Sequence, residues 1–340
     1  MAYSSAVLAA SPIDATRWTH HRTAIRPEVD PLDAGGEYGI RIHYVSCLPP
    51  AGIEKKGTIL LIHGFPETWY QFRRVITPLS DAGYHVVVPD YRGAGDSTKP
   101  SQFEAVFTKK VMAGDLHILL TEHLKIGEGV HVVGHDIGGM IAHAYATQFP
   151  KHTASVCWGE CPIPGSTFYQ ERKGSTQFWH FLFHVRTASP IPDQRPSLTW
   201  SQSIPDLPEL LIAGKVKEYQ KHFFDRHCQD PSAFTLEDRE IYSTAYSASG
   251  AMRCALNVYR AFERDAVQNN DWVKQNGKSG VRCLTLWGGE SWMLKEEALK
   301  MCDEYYDRSE YVDVEGCGHW IAEEQPGRFV DAILGWVGKT

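Results

Sequence analysis

Nowhere in these 340 residues is there an uninterrupted apolar run of the roughly 20 residues that a membrane-spanning helix needs. Long runs of Lys or Arg are missing too, and the formal net charge is −7, which argues against nucleic acid or an anionic membrane surface as partner. Eight cysteines are scattered along the chain without paired C-x-x-C motifs, so a zinc site has no basis. Several of them, such as Cys157 and Cys283, lie in apolar, strand-like runs where reduced thiols are commonly buried, and a reducing, cytoplasmic setting is expected. The stretch "MAYSSAVLAASPIDATRW" has no positive n-region and is only briefly apolar, so no signal peptide is expected. Repeats and low-complexity tracts are absent as well. The remaining composition, 43% apolar and 22% charged, is that of a globular chain with a full core.

One further absence carries chemistry. "VVGHDIGGM" (132–140) has the spacing of a G-x-S-x-G nucleophile elbow, but Asp136 stands where the serine belongs. Around it, strand and helix signals alternate. Continuous apolar runs at 57–64, 85–90, 129–136, 153–160 and 280–289 suit buried parallel strands, and 309–319 suits a last one. Helical spacing covers 68–83, 108–124, 138–150, 295–306 and 327–339. This alternation predicts an α/β fold: a mostly parallel sheet with helices on both faces. Residues 1–56 are expected to add an antiparallel hairpin at one edge. From about Pro162 to Arg264 the rhythm breaks: the segment is aromatic and His-rich, with helical stretches and a Pro-rich loop at 188–200. The division expected is a core of 1–162 and 265–340 with a helical cap of 163–264 inserted between two strands.

An elbow places its central side chain on a tight strand-to-helix turn, at a helix N-terminus that favours an anion. By itself Asp136 is equally an ordinary helix N-cap. Its company points elsewhere. In "VEGCGHW", His319 follows a predicted strand, and "HGFP" (63–66) follows another. Strand C-termini share one rim of an open sheet, so the three loops converge. The backbone N–H groups of Phe65 and Ile137 are then placed to form an oxyanion hole. A carboxylate is ill-suited to acyl transfer, because attack on an ester would give a reactive anhydride. At saturated carbon it gives an alkyl-enzyme ester, which water activated by His319 can hydrolyse.

The order "HGFP", "PDYRGAGDS" (89–97), "GHDIGG" (134–139) and "GCGHW" (316–320) resembles the α/β-hydrolase fold and, within it, the epoxide hydrolases and their dehalogenase cousins. The resemblance implies a third triad member after one of two strands. Glu160, 24 residues beyond Asp136 in "ECPIPG", is the preferred candidate, and Glu290 in "WGGES" is the alternative. It further implies two cap donors for the leaving alkoxide. "QFWHFLFH" (177–184) supplies His180 in the manner of a His/Tyr subgroup, and "STAYSASGAM" (243–252) supplies Tyr246, with Tyr242 a weaker competitor. Trp69, Trp179 and Trp320 are expected to bind substrate. The activity implied is hydrolysis of a small hydrophobic epoxide to a vicinal diol, with water as cosubstrate and neither metal nor organic cofactor. Two alternatives stay open: a haloacid or haloalkane dehalogenase with the same Asp136 nucleophile, and a non-catalytic ligand-binding protein of the same fold. Ile137 offers no halide-binding donor, and Ile137 and Met140 cannot bind a substrate carboxylate. Both observations weigh against dehalogenation.

Overall fold

A computed structural model describes residues 15–25, 39–101, 104–184 and 206–339; the Pro-rich loop expected at 188–200 lies outside them. Eight strands form one sheet: β1 (Thr19–Ile25), β2 (Ile40–Cys47), β3 (Gly57–Ile62), β4 (Tyr84–Pro89), β5 (Val130–His135), β6 (Thr153–Gly159), β7 (Cys283–Gly288) and β8 (Ser309–Val314). Their order is β1-β2-β4-β3-β5-β6-β7-β8. β1 and β2 pair antiparallel as the expected edge hairpin, β2 joins β4 antiparallel, and every other pairing is parallel. This is the α/β-hydrolase architecture.

The pattern of burial explains the assignments. β3, β4, β5 and β7 are covered on both faces, so their sequences read as unbroken apolar runs. β8 lies at the edge, is only partly buried, and carries Glu310 and Asp313. One expected helix is different. Residues 68–83 form a short 3-10 turn (Trp69–Phe72) and then a separate helix (Ile76–Asp81). An unbroken helix would have put Pro78 in its interior, where the ring clashes with the carbonyl four residues back. Restarting at Ile76 places Pro78 in a first turn, where no N–H is needed. No helix among the described residues is long and apolar enough to cross a membrane.

Between β6 and β7 the described residues contain helices and no strand. The last of these helices, Phe262–Asn276, runs across residue 264, where the helical segment was expected to end. It is tied to the core helix Lys109–Ile118 by a buried ion pair, Lys109 Nζ to Asp265 Oδ2 at 2.8 Å. Asp265 also accepts from the Lys109 N–H, and Lys109 Nζ donates to the Val258 carbonyl. Removing one partner of such a pair leaves the other charge buried alone. Lys109→Met should therefore cost about 3–5 kcal/mol in urea unfolding. Lys109→Met combined with Asp265→Leu should recover part of that loss. A cost below about 1 kcal/mol for the single variant would show that the pair does not anchor this helix.

Candidate active site

β5 delivers the chain to the carboxyl rim of the sheet, and the helix Ile137–Gln148 begins one residue later. Asp136, between them, has φ 51° and ψ −124°, a region rarely occupied by residues that carry a side chain. The turn closes because atoms are missing. A Cβ on Gly134 would lie 2.0 Å from the Gly138 carbonyl oxygen, and one on Gly138 would lie 2.0 Å from that of Ile62. The strained turn directs the Asp136 carboxylate off the sheet. There the Phe65 N–H donates to Oδ2 at 2.9 Å, and the Ile137 N–H bonds the same carboxylate. Phe65 reaches it because β3 and β5 are neighbours in register, with Ile62 opposite Gly134.

β6 ends next to β5 and hands on Glu160, itself at φ 60°. Glu160 Oε1 accepts from the Gly288 N–H at 2.8 Å; Oε2 accepts from Ser291 Oγ at 2.6 Å and lies 2.9 Å from His319 Nδ1. A proton on Nδ1 satisfies that contact and leaves Nε2 bare. The His319 backbone is held from two sides. Its N–H donates to the His227 carbonyl at 2.8 Å, and its carbonyl accepts from His135 Nε2 at 2.7 Å. Burial lowers the His319 imidazole to a pKa of about 3, so it is neutral at pH 7.

Asp136, Glu160 and His319 line a cavity beneath the inserted helices. Its walls are largely aromatic: Phe65, Phe178, Phe181, Phe223, Trp292 and Trp320. His180 and Tyr259 are among the polar side chains that the insertion adds to the lining. His180, on the helix Trp179–His184, lies 5.9 Å ring to ring from Tyr259, on the helix Ala251–Arg260. Burial drives His180 towards its neutral form and holds the Tyr259 phenol protonated. His180 Nδ1 has no hydrogen-bond partner among the described residues. No Lys or Arg is among the described residues that line the cavity.

Five of the candidate residues do not take the places considered for them. Tyr246 does not reach the cavity: the helix Leu236–Ser247 points its hydroxyl down to the Glu67 carbonyl, to which it donates at 3.0 Å. Tyr242 is also engaged elsewhere, donating to Glu323 Oε1 at 2.6 Å. The tyrosine that does line the cavity is Tyr259, and no spacing in the sequence marked it above the others. Trp69 lies away from the cavity, packed edge-on against Trp18 and His20 near the β1 edge, because the Trp69–Phe72 turn faces that hairpin. Trp179 is not among the cavity-lining residues; it packs on Phe223 and His222, one position before His180, which does line the cavity. Glu290 is exposed, accepts from the Cys317 N–H at 3.0 Å, and does not contact His319. Trp320 does line the cavity, as does Trp292, which sequence reasoning had not singled out.

Comparison with known proteins bears on this geometry. Residues 57–170 match the family described as alpha/beta hydrolase fold. Epoxide hydrolase B of Mycobacterium tuberculosis is 34% identical over an alignment of 357 residues, covering 88% of this chain and 96% of that protein. The soluble epoxide hydrolase of a Corynebacterium species is 28% identical over 323 residues, covering 94% and 97%. The solved structure of the epoxide hydrolase CorEH without ligand superposes with a TM-score of 0.75 at 26% identity, covering 94% of this chain and 99% of that one.

Desolvation raises the Asp136 carboxyl to a pKa of about 7, against the opposing pull of the Ile137 and Phe65 N–H groups. Its anionic fraction therefore falls as the pH drops through about 7, while His319 stays neutral far below that. In protein labelled with 13C at aspartate carboxyls, the Asp136 resonance should titrate with a midpoint near pH 7. A midpoint at the ordinary value of about 4 would mean that the backbone donors outweigh desolvation.

Proposed function

Since this chain belongs to the epoxide hydrolase family of the α/β-hydrolase fold, and is a hydrolase, we propose that it converts a neutral epoxide to a vicinal diol through an ester on Asp136. The observation that carries this reading is the set of groups that share one cavity: the Asp136 carboxylate at the elbow, and His180 and Tyr259 of the cap, whose rings lie 5.9 Å apart. The cap in this reading is the inserted segment 163–264.

In the first step an Asp136 oxygen attacks one epoxide carbon and the C–O bond to the ring oxygen breaks. Negative charge grows on that oxygen, and the Tyr259 O–H and the His180 ring are the donors that meet it. Both gain strength as the charge develops, which is what lowers a barrier. In the second step water loses a proton to His319 Nε2 and attacks the ester carbonyl carbon of Asp136. The Phe65 and Ile137 N–H groups, which bond the free carboxylate, are positioned to hold the tetrahedral oxyanion. Glu160 steadies the imidazolium that forms; as the intermediate collapses, the imidazolium gives its proton to the departing diol oxygen, and the Asp136 carboxyl gives up its proton to restore the cap donor that protonated the first oxygen.

Dehalogenation fits less well. The residue after the nucleophile is the buried, apolar Ile137, Trp179 is not among the cavity-lining residues, and no cation lines the described cavity to hold a haloacid carboxylate. A purely ligand-binding role would leave the strain at Asp136 and the Glu160–His319 contact without a purpose.

Exposure of His319→Gln protein to an aryl epoxide should trap the ester, because no base remains to activate water. Mass spectrometry should then find the added mass on the peptide that contains Asp136. An adduct on any other peptide would refute the nucleophile. The ring-opening donors are separable in rapid-quench experiments. Tyr259→Phe should slow ester formation by on the order of 10²-fold and leave ester hydrolysis nearly unchanged, whereas Tyr246→Phe should alter neither step by more than a few-fold. The opposite ranking would return the role to Tyr246.

A further inference from the structure

The reaction uses Asp136, His319, Glu160, His180 and Tyr259, yet one more shielded polar side chain lines the same cavity: His227. Its place is set by backbone bonds on both sides. It ends the helix Val216–Arg226, where its N–H donates to the Phe223 carbonyl at 3.1 Å, and its own carbonyl accepts the His319 N–H at 2.8 Å. The imidazole lies nearly parallel to Phe223, at 24°, with ring centres 6.3 Å apart, and stands 5.8 Å from the His319 ring. Burial keeps it neutral at pH 7, so it offers one N–H donor and one bare nitrogen. Neither ring nitrogen is hydrogen-bonded to another of the described residues.

We propose that His227 determines substrate specificity, selecting epoxides that carry an ether, hydroxyl or carbonyl oxygen on the carbon next to the ring. The inference rests on the epoxide reading above. Phe223 lies against the His227 imidazole, and Phe181 and Trp292 also line the cavity, so a bound substrate displaces water from the imidazole. A hydrocarbon substituent then leaves that polar group unsatisfied, at a cost in free energy, whereas an oxygen beside the epoxide accepts its N–H. Because the His227 ring lies 5.8 Å from that of His319 on the cavity that Asp136 also lines, the oxygen it meets is near the reacting carbons and not at the distal end of the substrate.

Phenyl glycidyl ether and 4-phenyl-1,2-epoxybutane have the same length and differ by one oxygen in place of one methylene, which makes them the test pair. The wild type should favour the ether in kcat/KM. His227→Phe, which keeps a planar ring and the backbone carbonyl that holds His319, should lose about tenfold or more of that preference. Its kcat/KM for the hydrocarbon epoxide should be unchanged or higher. His227→Asn, which retains a donor, should keep part of the preference. Comparing variant with wild type cancels the intrinsic reactivity difference of the two epoxides. An unchanged ether-to-hydrocarbon ratio in His227→Phe would overturn the proposal, and so would an equal loss on both substrates, since that would make His227 a support for His319 alone. If the wild type turned over neither epoxide, the reaction reading would fail instead. Tryptophan fluorescence titration with the two corresponding diols would then decide the His227 contact. Tighter binding of the ether diol that disappears in His227→Phe supports it, and equal binding refutes it.

Discussion

A carboxylate taken out of water at the tip of a strained turn is the constraint on which the rest of this structure depends. Burial works against the charge on Asp136, and two backbone N–H groups work for it. Those donors exist only because three segments meet without side chains between them. A Cβ on Gly64 would lie 2.6 Å from the Asp136 Cβ, and the Gly134 and Gly138 contacts leave still less room. Moving β3 against β5 by one residue would take the Phe65 N–H away and leave the carboxylate desolvated with half its support. The sheet register, the elbow glycines and the position of "HGFP" are thus one arrangement seen at three scales.

The second element of the arrangement is how closely the inserted helices are bound to the loop that carries His319. The His227 carbonyl takes the His319 N–H, and the Gln229 and Asp230 N–H groups donate to Glu324 Oε2 at 2.6 and 3.0 Å. Below this, Arg73 pairs with Asp238 of the insertion at 2.8 Å and with Glu323 of the core, and Tyr242 donates to Glu323. These charges are paired across the junction, so they specify one docked position for the insertion more than they add stability. The consequence for chemistry is a cavity closed by aromatic rings, in which the described lining has no fixed positive charge. Such a site favours neutral ligands and magnifies the few polar contacts that it offers.

The sequence by itself determined the layered fold, the eight strands and the meeting of Asp136, His319 and the 63–66 loop on one rim. The reason is local: central strands of a parallel sheet must be apolar on both faces, turn glycines mark where the backbone closes, and strand C-termini share an edge whatever the loops between them do. It also left Glu160 and Glu290 as two candidates, because both follow a strand. Only the packing of β6 beside β7 decided that Glu160 reaches His319 while Glu290 faces solvent. In the insertion, sequence carried less. Tyr242, Tyr246 and Tyr259 all sit in helical, aromatic surroundings, and which of them enters the cavity depends on the rotation of two helices, Leu236–Ser247 and Ala251–Arg260, about their axes. The same holds for Trp179 and His180, adjacent residues that a helix turns about 100° apart, so that only His180 lines the cavity. Rotation of a helix inside an aromatic cluster is fixed by contacts from distant parts of the chain, and only the tertiary structure decided it.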